Sequence, residues 1–139
     1  MANGTFQPLP VPTTALDGRV GAVVLDPGGN PADVVQKGTP ITVRVDWHIT
    51  GFLVPLLAGN WVLHVSVDEI GGTHDFNVPP SSMTVPLNGT QDYQRDIVIT
   101  SLMAGKTYSL VVSLAYRNPA GAGAPLGGYV NVGTVNVLL

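Results

Sequence analysis

Strict period-two alternation limits this chain more than any other feature. In residues 40–50, Ile41, Val43, Val45, Trp47 and Ile49 fall on one side of an extended backbone. Thr42, Arg44, Asp46, His48 and Thr50 fall on the other. Successive side chains of a strand point to opposite faces, so this pattern predicts a strand buried on one face. Residues 60–70 repeat it, with Trp61, Leu63, Val65 and Val67 inward and His64, Ser66 and Asp68 outward. Residues 106–117 extend it furthest, through Tyr108, Leu110, Val112, Leu114 and Tyr116. Residues 129–139 carry Val130, Val132, Val135 and Val137. Gly133 breaks that last alternation, and a β-bulge at this point restores it.

Shorter apolar runs at 19–25, 73–78, 82–87 and 93–100 complete about eight expected strands. DPGGNP stops the first of them with a dense turn signal. Pro79, Pro80 and Pro86 confine the runs beside them to sheet edges, because proline cannot donate to a ladder. No segment holds helical periodicity over three turns, and no repeat of domain-building length is present. Many short strands with 17 Gly and 12 Pro imply an all-β sandwich or barrel. At 139 residues the chain is one domain. Residues 1–18, with Pro8, Pro10 and Pro12, read as an extended arm, either a tail or a segment lying along a neighbouring subunit. Residues 19–139 form the sandwich.

The stretch SLMAGKTYSLVV narrows the choice. Leu102, Gly105 and Tyr108 stand at spacings of three and three before an alternating strand. This resembles the E–F corner of fibronectin type III and immunoglobulin-like domains, where a leucine plugs the core, a glycine turns the chain and a tyrosine hydroxyl ties back to the backbone. Trp47 and Trp61 lie on strands that look like B and C of those folds. The resemblance covers roughly residues 40–138. Ala104 stands where fibronectin type III domains often carry proline, the F-like strand is long, and the immunoglobulin cysteine pair is absent. The resemblance implies a single sandwich of about seven to nine strands. It makes GFLVPLLAGN (51–60) the B–C loop, NGTQ (88–91) the D–E turn and NPAGAGAPLGG (118–128) the F–G loop. These three would share the end used for recognition in antibody variable domains.

The B–C loop is unusual for a connection. It holds Phe52, Leu53, Val54, Leu56 and Leu57 and no charge. Two readings stand. Phe52, Leu56 and Leu57 fold back and cap the core, or part of the run stays exposed and docks on a partner or another copy. Charged residues make up 11% of the chain, against about 25% in an average soluble domain. So little charge on the outside points to a contact surface.

Most chemistries find little support. The six Lys and Arg are scattered and the net charge is −3, which argues against nucleic-acid binding. The absence of cysteine excludes disulfides, cysteine-zinc sites and thiol catalysis. His48 and His64 lie on the polar sides of strands expected in different sheets, so a shared metal site is not expected. His74 and Asp75 have no second ligand cluster. Asp68 and Glu69 point to opposite faces. Ser81 and Ser82 follow two prolines with no nucleophile elbow. GAGAPLGG opens onto a strand, so it is no phosphate loop, and DPGGNPAD matches no calcium loop. The two NGT sequences read as turns. Tyr93, Tyr116 and Tyr129 are the candidates for a sugar-stacking platform. The N-terminus does not resemble a secretory signal, and no apolar run is long enough for a spanning helix. An intracellular protein or a component of a released particle is expected.

The sequence therefore predicts a non-catalytic structural or interaction protein without cofactor, metal or small-molecule substrate. It would be a subunit or accessory component of a larger protein assembly, contacting partners through Phe52, Leu53, Val54, Leu56, Leu57 and the N-terminal arm. The alternative is a small module that binds carbohydrate or a cell-surface ligand.

Overall fold

The computed structural model describes residues 2–6, 12, 14–78 and 83–139, apart from the side chains of residues 124 and 125. Among these residues ten strands form two sheets. The first has the order β1 (Ala2–Thr5), β2 (Asp17–Leu25), β4 (Ile41–Thr50), β8 (Asp92–Ile99). The second has the order β3 (Val34–Val35), β10 (Gly123–Val137), β9 (Thr107–Arg117), β5 (Asn60–Glu69), with β6 (Phe76–Asn77) and β7 (Met83–Pro86) both paired to β5. Pairing is antiparallel throughout except for β3 on β10. The B-like strand β4 and the C-like strand β5 thus lie in different sheets, as the resemblance implies.

The alternating runs build the core as read. Ile41, Val43, Val45, Trp47 and Ile49 of β4 are buried, as are Trp61, Leu63, Val65 and Val67 of β5 and the inward row of β9. The expected bulge is present, since the β9–β10 register shifts between Asn131 and Gly133. A second shift lies between Ala124 and Gly127. Strand β10 therefore begins at Gly123, and only residues 118–122 remain as the turn in place of the expected loop 118–128. The expected strand at 73–78 shortens to two residues, because the chain bends at Gly72 and Thr73 and Asp75 ties back to the Glu69 amide, which donates to its carboxylate at 3.0 Å.

Aromatic rings fill the upper core. Trp47 stacks on Tyr93 with centroids 5.4 Å apart and planes 9° from parallel. Trp61 meets Trp47, Phe6, Tyr93 and Tyr116 edge-on at 5.8–6.2 Å. Phe6 belongs to the expected N-terminal arm, yet its ring is in the core. Residues 2–5 pair with β2, and Phe6 bridges to Gly128 of β10, so β1 closes one seam between the sheets. Residues 7–11 and 13, with two of the arm's prolines among them, lie outside the described residues.

The opposite edge of the first sheet is β8. Arg95 pairs in register with Val45, an inward position, yet its side chain is exposed and Nη1 donates to the Gln94 carbonyl at 2.7 Å. A charge at an inward position of an edge strand opposes pairing with another sheet.

The tyrosine corner forms. Tyr108 is fully buried, and its hydroxyl accepts the Met103 amide at 3.0 Å and lies 2.7 Å from His74 Nδ1. Gly105 adopts a left-handed φ of 74° and Leu102 packs on the core edge. Among the described residues no helix is long and apolar enough to cross a membrane.

Candidate functional site

The loop between β4 and β5 divides its apolar side chains between two tasks. Val54 is 2% exposed and belongs to the core cluster. Leu53 and Leu57 are half-buried against that cluster. Phe52 and Leu56 are 68% and 76% exposed. A single 3-10 turn over Val54–Leu56 makes this division. Pro55 sits in its first turn, where a missing amide costs nothing. The turn rotates consecutive side chains apart, so Val54 points inward while Leu56 points to solvent. Fold-back and exposure, the two readings of the loop, thus apply to different residues, and Phe52 and Leu56 are not the cap.

The backbone holds the loop from below. The Phe52 amide donates to the Thr14 carbonyl at 3.2 Å and the Leu53 amide to the Ala15 carbonyl at 3.1 Å. Gly51 has φ 122°, and a Cβ there would collide with the Ala15 carbonyl. Tyr116 donates its hydroxyl hydrogen bond to the Ala58 carbonyl and anchors the far side.

The three expected loops do gather at one end. The β4–β5 loop and the turn at 88–91 flank an open cleft of 720 Å³, bounded by Phe52, Pro55, Asn88, Thr90, Gln91 and Asp92. Gly59 meets the backbone of Arg117 and Asn118, which brings in the turn at 118–122. Segments 51–59, 88–91 and 118–122 contain no ionisable side chain. The three loops are uncharged, with two apolar side chains projecting from them, and Asp17, Asp92 and Arg117 border them.

The outer face of the first sheet differs. His48 Nδ1 lies 2.5 Å from Asp92 Oδ1. Arg44 donates from Nε and Nη2 to the two carboxylate oxygens of Asp96, at 3.0 and 3.2 Å. The hydrogen bond to Asp96 first, and its charge second, raise the Arg44 pKa above its ordinary value. His64 lies on the other sheet, 3.0 Å from Asn77 Oδ1, so His48 and His64 face apart. Among the described residues no group of three or more His, Cys, Asp or Glu converges on one point. Of the three tyrosines, Tyr93 and Tyr116 are buried in the aromatic core and offer no platform. Tyr129 is 64% exposed.

No family model and no curated protein sequence matches the chain. Among solved structures, the crystal structure of the C-terminal domain of wzt is similar, with a TM-score of 0.61 at 7% identity over 85% of this chain and 71% of that one. The chain folds as an all-β sandwich of two sheets. A β-glucosidase from Listeria innocua, in complex with glucose, matches 88% of this chain and 17% of its own at 11% identity, with a TM-score of 0.44, too low to carry an argument. The likeness to the wzt domain is one of fold alone.

Proposed function

We propose that the chain is a non-catalytic structural component that docks through its uncharged loops onto a protein partner or another copy of itself. The observation that carries this is the pairing of Phe52 and Leu56, both largely exposed, on a loop whose backbone is pinned at Thr14, Ala15 and Val54. An apolar pair held out on a rigid support loses little entropy on docking. Burying both side chains contributes about 1.5–3 kcal/mol each before association costs. The finer kinship with fibronectin type III domains belongs to this reading and is supported by the Leu102, Gly105 and Tyr108 corner. The test is solution mass by light scattering across concentration, for wild type and Phe52→Ser/Leu56→Ser, and co-purification where the partner is another protein. Assembly lost in a still-folded variant supports the reading. Assembly unchanged by the substitutions removes the loop from it.

A second reading, a carbohydrate-binding module, is favoured by a different observation. The Phe52 ring borders a cleft whose other wall is Asn88, Thr90, Gln91 and Asp92, an apolar platform beside hydrogen-bonding side chains.

A further inference from the structure

Asparagine is followed by glycine at two places in the chain, and both read NGT, at residues 3–5 and 88–90. A backbone nitrogen that follows an asparagine can add to its side-chain carbonyl. A side chain on the following residue crowds that approach, and glycine has none. The fold sets the two sites apart. Asn3 and Gly4 lie in β1, where the sequence suggested a turn. The Phe6 amide donates to the Gly18 carbonyl, so these two form a hydrogen-bonded pair of the β1–β2 ladder. Two residues back, Gly4 and Val20 form another, which commits the Gly4 amide to Val20. A Cβ built at Gly4 would lie 2.5 Å from the Tyr129 carbonyl oxygen, so the Gly4 backbone has no room to turn. Asn88 and Gly89 instead lie on the turn between β7 and β8, and both are exposed. Gly89 has a left-handed φ of 82° and open space beside its Cα. Its amide makes no hydrogen bond among the described residues. Asn88 Oδ1 accepts from the Thr90 amide at 3.2 Å and from the Thr90 hydroxyl at 2.6 Å. The amide bond closes a ring of atoms that includes both Asn88 Cγ and Gly89 N, so the side chain folds back towards that nitrogen.

We infer that Asn88 is a site of spontaneous deamidation, attacked by Gly89 N, and that the fold protects Asn3 from the same reaction. Gly89 N gives its proton to hydroxide and bonds to Asn88 Cγ. Negative charge gathers on Oδ1, where the Thr90 amide and hydroxyl both donate, as in an oxyanion hole. The bond from Cγ to the side-chain nitrogen then breaks. That nitrogen takes a proton from water and leaves as ammonia, and Asn88 and Gly89 are left joined in a succinimide. One water adds to either of its carbonyls and opens it to aspartate or isoaspartate. The sum is amide plus water to carboxylic acid plus ammonia, with no oxidant or cofactor. Segments 51–59, 88–91 and 118–122 contain no ionisable side chain, so the product gives these loops their first charge. It stands on the rim of the cleft beside Phe52. A partner covering Asn88 would then have to strip water from a carboxylate, which is costly. The chemistry holds whether or not the loops dock.

The test incubates the purified chain at mildly alkaline pH, digests samples over time, and follows both NGT peptides by chromatography and mass spectrometry. Wild type, Thr90→Val and Gly89→Ala are compared, and wild type is also incubated in urea. In the folded protein Asn88 should convert to a mixture of aspartate and isoaspartate. Asn3 should react about tenfold or more slowly, because β1 must first leave its ladder. In urea the two identical tripeptides should react at similar rates, with Asn3 accelerated and Asn88 not. Thr90→Val keeps the amide donor and loses the hydroxyl, and should slow the reaction at Asn88 by about tenfold. Gly89→Ala should slow it too, and if that variant fails to fold, the comparison of folded with urea-treated wild type decides. Asn88 intact in the folded protein, or slower there than in urea, overturns the inference, since the Thr90 bonds then lock the side chain. Asn3 reacting as fast as Asn88 in the folded protein overturns the protection. A Thr90→Val rate equal to wild type removes the oxyanion role.

Discussion

The amide of Phe52 donates to the carbonyl of Thr14 at 3.2 Å, so the exposed ring of the β4–β5 loop is braced by the segment that precedes β2. Gly51 makes this close approach possible. Gly51→Ala combines a left-handed φ with a backbone collision and should cost about 1–3 kcal/mol in urea unfolding. Gly89→Ala is the control, for Gly89 shares a positive φ of 82° but has open space around it. It should cost less, about 1 kcal/mol.

Anchor and contact within the loop separate by mutation. Val54→Ala should destabilise by about 1–3 kcal/mol, because it leaves a cavity beneath the loop. Phe52→Ser/Leu56→Ser should change monomer stability by no more than about 0.5 kcal/mol per site. Chemical denaturation of the three proteins checks both, at a concentration where wild type is monomeric.

The Tyr108 hydroxyl serves two partners at once, the Met103 amide and His74. Tyr108→Phe leaves a backbone N–H without its acceptor and should cost about 1–3 kcal/mol. His74→Ala should cost less, since the amide bond survives. A larger loss for His74→Ala would show that the corner is held from the histidine side.

Phe6 tests how far the folded unit extends. Phe6→Ala should cost about 3–5 kcal/mol, as for a core aromatic, although the residue lies in a proline-rich N-terminal stretch. A loss under about 1 kcal/mol would show that Trp61 repacks without it.

Arg95 guards the free edge of β8. Arg95→Val completes an apolar inward row and should leave monomer stability near wild type while promoting sheet-edge association. Turbidity or sedimentation at rising concentration reads this out.

The alternating strands were legible because burial of one face imposes period two on the sequence, and β4, β5 and β9 carry that period without interruption. The Gly133 bulge was legible for the same reason, as a break in phase. Strand β3 was not, since two residues leave no period to detect. Strand β1 was missed because ANGT has no apolar alternation; its register comes from backbone pairing and from Phe6 reaching the core. The end of the molecule carrying the candidate site followed from the loop order implied by the E–F corner. The split between Val54 and its neighbours did not follow, because a single 3-10 turn decides it and Pro55 is compatible with other turns.

Strand β1 sets an order of events for the nascent chain. Phe6 packs on Trp61, 55 residues later in the sequence, and bridges to Gly128 of β10, 122 residues later. The β1 segment, synthesised before the rest of the sandwich, is thus among the last to find its place. Until β10 emerges, the seam beside β1 stays open and the aromatic core lacks its cover. Contacts of such long sequence separation slow folding. The open seam exposes Trp61 to other chains for as long as synthesis lasts, and a holding chaperone or slow dilution during refolding should raise the yield of native protein.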